Sequence, residues 1–152
     1  MQARGPYTIR GYYQPENARS FTLDGFFRTG DLVRRRPAGN IVIVGRNKDV
    51  INRAGEKVSA EEVERQLRTH PAVQDAAVTG VADTVLGERT YAFVILNEAA
   101  VRPSAMKEFP GGRGLAAYKI PDRLISMPQL PRTPMGKVDK KALRAQIATS
   151  ER

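Results

Sequence analysis

An α+β fold is predicted from about residue 49 onward, behind a β-rich leading segment. Three observations predict it. Ser59, with Glu62 three residues on, reads as a capping box, in which a hydroxyl and a carboxylate serve free amides at a helix start. The stretch Thr90 to Leu96 is apolar on both alternating faces, as suits a central strand packed on both sides. The first 40 residues set Tyr7, Tyr12, Tyr13, Phe21, Phe26 and Phe27 among turn-forming glycines and prolines, the pattern of short strands and tight turns.

In chain order, Asp24–Gly25 and Ala38–Gly39–Asn40 read as turns. The second feeds Ile41 to Val44, a continuous apolar run of buried-strand length. The composition shifts at Gly45. Val50 and Ile51 open a further strand region, with Gly55 as its turn. In the helix after Ser59, Val63 and Leu67 share one face. Glu61, Glu62 and Glu64 are attributed to the favourable field at its start, and Pro71 ends it. Val73 to Val81 is a strand, Asp83 to Gly87 a loop, and Thr90 to Leu96 the central strand. There Tyr91, Phe93 and Ile95 face one side and Ala92, Val94 and Leu96 the other. A short helix over 104–109 is broken at Pro110–Gly111–Gly112. Arg123 to Met127 is an edge strand, and Pro128 to Gly136 a loop. Asp139 caps a last helix that buries Ala142, Leu143 and Ile147.

Composition narrows the chemistry. The chain has 152 residues, no cysteine and one histidine, His70. That excludes a disulfide scaffold, a cysteine zinc site and a thiol nucleophile, and disfavours a histidine metal site. His70 precedes Pro71 and reads as a helix-end cap or core histidine. No apolar run reaches the roughly 18 residues of a membrane span, and no apolar signal core follows Met1, so a cytoplasmic protein is expected. The net charge of +9 raises nucleic acid as a partner. However, Arg34–Arg35–Arg36 is short, ends at Pro37 and lacks interleaved aromatics, so a basic surface or the floor of an anionic ligand site is preferred.

Three charged residues stand in turn-rich contexts. Asp31 follows Thr29–Gly30, where a carboxylate either accepts two hydrogen bonds from a vicinal diol such as ribose or caps its own turn. Arg46 follows Gly45, where its fork either clamps phosphate or ribose oxygens or makes a surface ion pair. Lys137 follows Gly136 in a proline-rich loop, where its ammonium either meets a phosphate or stays solvated. Gly136–Lys137 is not a P-loop: the first glycine would fall at Pro131, and Val138 stands where a magnesium-binding hydroxyl belongs.

Taken in order, the segments resemble the adenylate-forming enzymes: acyl-CoA synthetases, nonribosomal peptide adenylation domains and luciferases. Thr29–Gly30–Asp31 resembles that family's ribose motif. Gly45–Arg46–Asn47–Lys48–Asp49, followed by Asn52 to Val58, resembles its hinge motif. His70–Pro71–Ala72–Val73 with Gly87–Glu88 resembles its small-domain signature, and Pro131 to Asp139 its terminal lysine motif. Gly5 to Tyr13, Ile51–Asn52–Arg53, Tyr118 to Arg123 and Gly136 to Lys141 are similar to the aryl-acid-activating subgroup of siderophore synthesis, above all its 2,3-dihydroxybenzoate- and salicylate-activating ligases.

The resemblance implies a β-rich last segment of a large domain over 1–47 and a C-terminal lid domain over 48–152, a short antiparallel sheet with flanking helices. Asp31 and Arg46 would bind nucleotide, Lys48 would be the hinge, and Gly55 would line the passage of a phosphopantetheine arm, where a side chain would obstruct it. Lys137 would bridge carboxylate and α-phosphate during adenylation. ATP and Mg2+ are implied, bound mainly by a large domain whose phosphate loop and acid pocket this sequence lacks. An aryl carrier protein and an aryl acid are the implied partners, with no nucleic acid, no membrane and no metal site of the chain's own. The resemblance also implies a continuous helix around 103–115, which Pro110 and Gly111–Gly112 interrupt. The chain is expected to be a C-terminal portion, inactive alone. The alternative is a catalytically silent module that binds the carrier.

Overall fold

The computed structural model describes residues 1–13, 19–97 and 115–150. The helix expected over 104–109, and its interruption at Pro110, lie outside the described residues. The chain divides into two compact units, Met1–Lys48 and Asp49–Arg152.

The first unit is built from short antiparallel pairs. Strand β1 (Gln2–Ala3) pairs with β2 (Phe27–Arg28), and β3 (Asp31–Arg35) with β4 (Ile41–Arg46). The turn at Ala38–Gly39–Asn40 joins β3 to β4, where the Arg36 amide donates to Asn40 O at 2.8 Å. A second turn closes at Asp24–Gly25, with the Gly25 amide donating to Thr22 O at 3.0 Å. Tyr12, Phe21 and Phe27 cluster with ring centroids 5.4 to 6.4 Å apart. The run Ile41 to Val44 is a strand but not the buried strand expected of it: Ile41 and Ile43 are 55% and 51% exposed. Its residues alternate, and Val42 and Val44 are the half-buried pair. Among the described residues, the ribbon has cover on one face only.

The second unit carries a five-stranded sheet in the order β6-β5-β8-β7, with β9 also paired to β8. Its strands are β5 (Val50–Arg53), β6 (Glu56–Ser59), β7 (Val73–Asp83), β8 (Gly87–Leu96) and β9 (Arg123–Ser126). All pairings are antiparallel except that of β9, which runs parallel to β8. Helix α1 (Ala60–Leu67) starts as expected, for Ser59 Oγ accepts the Glu62 amide at 3.3 Å. The Glu62 carboxylate itself takes Lys119 Nζ at 2.9 Å. Helix α2 (Lys140–Ser150) is capped by Asp139 Oδ1, which accepts the amides of Lys141 and Ala142, each at 3.0 Å.

The alternation in β8 divides the core. Ala92 and Val94 pack with Val63 and Leu67 of α1, together with Ile51, Val58, Ala76 and Val78. Tyr91 and Phe93 pack with Leu143 and Ile147 of α2, and with Ala77 and Leu130. The helices therefore cover opposite faces, and β8 is apolar on both sides because it is the layer between them.

The outer edge of β7 is closed by side chains from α1, its C-cap residue and α2. Arg68 Nη2 donates to Ala76 O at 2.5 Å, Glu64 Oε1 accepts the Val78 amide at 2.8 Å, and Arg144 Nε donates to Gly80 O at 3.2 Å. These three residues alternate along the strand, so their outward backbone groups are the ones an edge leaves open. The attribution of Glu64 to the field of the helix start is thereby corrected: only Glu61 and Glu62 lie in the first turn, and Glu64 is buried. Lys140 Nζ stands 2.7 Å from Glu64 Oε1. Among the described residues, no helix is long and apolar enough to cross a membrane.

Candidate functional site

In the first unit, Asp31 opens β3 and Arg46 closes β4, and the two are register partners. Arg46 Nε donates to Asp31 Oδ1 at 3.1 Å. Asp31 does not cap its own turn; instead, Thr29 Oγ1 accepts the Asp31 amide at 3.1 Å. The ion-pair alternative for Arg46 is realised, and its partner is the other residue singled out for nucleotide. Strand pairing thus sets a carboxylate, an acceptor for diol hydroxyls, beside a guanidinium that suits phosphate. Arg46 is half exposed at 49%, so the pair itself contributes about 0 to 1 kcal/mol of stability. Lys48 is exposed in the 3-10 turn Asn47–Asp49, whose Asn47 amide donates to Gly30 O at 2.8 Å.

In the second unit, Gly55 sits in the two-residue turn between β5 and β6. Ala54 and Gly55 there have φ of +49° and +87°. Positive φ at both central residues matches the twist of the flanking strands, which is why a glycine stands there. A Cβ on Gly55 would meet no atom within 4 Å. Among the described residues nothing crowds the turn, so the structure offers no internal reason against a side chain there beyond its positive φ. Gly55→Ala is expected to lower stability by about 1 kcal/mol through backbone strain alone, read as a shift in urea midpoint at unchanged slope.

Two struts hold this turn. The Ala54 amide donates to Leu86 O at 2.8 Å. Arg53 forks onto Asp122 with Nη2–Oδ1 and Nε–Oδ2 distances of 2.6 and 2.9 Å, and Asp122 Oδ2 also accepts the Thr90 amide at 2.9 Å. Burial pushes the Asp122 carboxyl up, but the Arg53 guanidinium and the Thr90 amide outweigh it and hold the group below its ordinary value of 3.8. A depressed folded-state value means that this stability is present above the unfolded value and is lost as pH falls through the folded one. The difference in urea midpoint between the parent chain and Asp122→Asn is therefore expected to be full at neutral pH. It shrinks below about pH 4.

Lys137 follows a tight turn. The Gly136 amide donates to Thr133 O at 2.8 Å, the Thr133 amide donates to Lys137 O at 2.7 Å, and Gly136 has φ of +80°. Arg132 and Val138 bridge the two arms. The segment read as a loop is thus a small hydrogen-bonded hairpin. The Lys137 side chain is exposed, and its ammonium has no partner among the described residues. His70 is half-buried, and its Nδ1 accepts the Ala72 amide at 3.1 Å, a bond within the turn that follows α1. The sequence reading missed Glu64, Asp75, Arg132 and the Arg53–Asp122 fork. A faint signal existed for Glu64 alone: it lies one residue from Val63 and three from Leu67, beside the apolar face of α1.

The family model described as "AMP-binding enzyme C-terminal domain" matches residues 62–137. The chain is 75% identical over its whole length to Triostin synthetase I of Streptomyces triostinicus, covering 29% of that protein. It is 57% identical over 97% of its length to the 2,3-dihydroxybenzoate-AMP ligase of Bacillus subtilis, covering 28% of that protein. The fold superposes on ATP-bound MatB from Rhodopseudomonas palustris with a TM-score of 0.85 at 33% identity, over 95% of this chain and 29% of that one. The chain thus spans less than a third of the length of these relatives.

Proposed function

The chain belongs to the adenylate-forming ligases, for it matches the C-terminal domain of AMP-binding enzymes, and on that premise we propose that it serves as the lysine-bearing lid of an aryl-acid-activating ligase. The single observation that supports this most is Lys137. It is an exposed ammonium without a described partner, on a hairpin pinned by backbone hydrogen bonds, at the end of the matched segment.

The reaction has two parts. An aryl carboxylate, 2,3-dihydroxybenzoate or salicylate, attacks the α-phosphate of ATP. A carboxyl oxygen–phosphorus bond forms, the bond to the β-phosphate bridge breaks, and pyrophosphate leaves. Lys137 supplies positive charge to the crowded phosphate, where a prepositioned cation lowers the barrier without reorganising at the moment of reaction. Asp31 takes ribose hydroxyls, and Arg46 takes ribose or phosphate oxygens. The lid then turns about Lys48, withdrawing Lys137 and presenting the Gly55 turn. A phosphopantetheine thiol of an aryl carrier protein attacks the acyl carbon, its proton passes to solvent, and AMP leaves.

Among the described residues no group of three or more His, Cys, Asp or Glu could hold a metal ion. Magnesium enters with the nucleotide substrate. On this reading a large domain supplies the phosphate loop and acid pocket, so the chain alone is expected to give no aryl-acid-dependent ATP–pyrophosphate exchange. Fused behind the large domain of the Bacillus subtilis relative, it is expected to restore exchange and carrier loading. A fusion that binds the carrier yet never forms adenylate would instead establish the silent-module alternative.

A further inference from the structure

We propose that Asp75 and Arg132 are positioning residues for Lys137: the carboxylate on β7 holds the guanidinium that clamps the carbonyl adjoining the lysine. The proposal rests on the reading of Lys137 as the adenylation lysine. Arg132 Nη1 donates to Gly136 O at 2.9 Å, and Nη2 donates to Asp75 Oδ2 at 3.0 Å. Gly136 O belongs to the peptide plane that leads directly into Lys137. One planar fork therefore ties that plane to the sheet.

Asp75 is itself held from three sides. Besides Arg132, its Oδ1 accepts the Ala76 amide at 2.8 Å and Arg68 Nε at 3.1 Å. It stands where β7 shifts register against β8, between Val73 and Asp75. The side chain is 23% exposed, against 51% for Arg132. A partly buried carboxylate at a strand end thus meets a more exposed arm, and the arm ends on the carbonyl that precedes the lysine. The two arms of the hairpin are tied to each other by the Thr133 amide to Lys137 O and by the Asp139 amide to Pro131 O at 2.8 Å.

The chemistry of the two groups fits this task. A guanidinium reaches two acceptors in one plane, which a single ammonium cannot do with the same geometry. An ion pair this exposed contributes at most about 1 kcal/mol to stability. Its effect on placement is larger, since a shift of about 1 Å in a reacting group can cost about a hundredfold in rate. The Lys137 side chain has no brace of its own among the described residues, so its starting point is what the protein can fix.

The test places Asp75→Asn and Arg132→Lys in the fusion described above, each with Lys137 intact and with Lys137→Ala. With Lys137 intact, kcat for adenylation is expected to fall about tenfold, with KM for ATP within about twofold. Acyl transfer from supplied aryl adenylate is expected to be unchanged. In the Lys137→Ala background, Asp75→Asn is expected to cost nothing more, because its effect travels through the missing side chain. A loss of equal size in both backgrounds, a loss in both half-reactions, or no loss at all overturns the proposal. Adenylation undiminished by Lys137→Ala overturns the functional reading, and the proposal with it. A second measurement needs no activity. In the 152-residue chain, Asp75→Asn is expected to speed hydrogen exchange at the Thr133 and Gly136 amides while leaving the β7–β8 amides alone. Unchanged exchange at Thr133 and Gly136 overturns the proposal.

Discussion

Lys137→Ala is expected to lower adenylation by about 10²- to 10³-fold, the loss usual when one prepositioned charge or donor is removed from a developing anionic centre. The measurement is ATP–pyrophosphate exchange in the fusion with a large domain, at saturating aryl acid. The same variant is expected to transfer the acyl group from supplied adenylate to a carrier thiol at the parent rate. That asymmetry distinguishes loss of a charge from loss of the fold, because misfolding lowers both half-reactions together. Lys137→Arg keeps the charge but replaces a compact ammonium by a broad planar fork, so it is expected to recover little. The structure supplies a reason for so large an effect from one exposed side chain. The ammonium has no partner among the described residues, so no internal ion pair must break before it meets a phosphate.

The largest effect on stability is expected at Glu64. Its Oε1 lies 2.8 Å from the Val78 amide and 2.7 Å from Lys140 Nζ, and the residue is only 7% exposed. Glu64→Ala leaves a strand-edge amide without its acceptor and a lysine without its counter-charge, and it removes buried volume beside Val63. Each such loss costs about 1 to 3 kcal/mol, and breaking a buried pair about 3 to 5. Because Lys140 keeps some contact with water, the expected total is about 3 kcal/mol, a fall in Tm on the order of 10 °C. Thermal unfolding followed by circular dichroism checks the figure. A fall below about 1 kcal/mol would mean that the edge of β7 satisfies itself with water. The opened edge is also a template for pairing with another chain, so the variant is expected to associate at concentrations where the parent does not.

Glu64 shows where a linear reading stops. Its place in α1 was legible, and so was the favourable field for acids at a helix start. What decides its role is Val78, 14 residues away, and Lys140, 76 residues away. No local spacing connects the three. Asp75 and Arg132 are alike in this respect, since 57 residues separate the carboxylate from its guanidinium. The apolar run Ile41 to Val44 fails in the opposite direction. Its composition suits a buried strand, yet burial depends on what covers each face, and one face of the β3–β4 ribbon is bare.

By itself the sequence determined the features that depend on near neighbours: the Ser59 and Asp139 caps, the Gly55 turn, the two apolar faces of β8 and the ordered motifs that mark the family. Side-chain periods of 2 and 3.6 and the demands of helix ends act over a few residues, so they can be read in line. Only the tertiary structure decided that β9 lies parallel to β8, that Asp31 and Arg46 face each other across a ribbon, and that Glu64 and Asp75 anchor the strand edge and the lysine hairpin. These depend on which distant segments the packing brings within hydrogen-bond reach, about 3 Å, a distance that spacing along the chain does not encode.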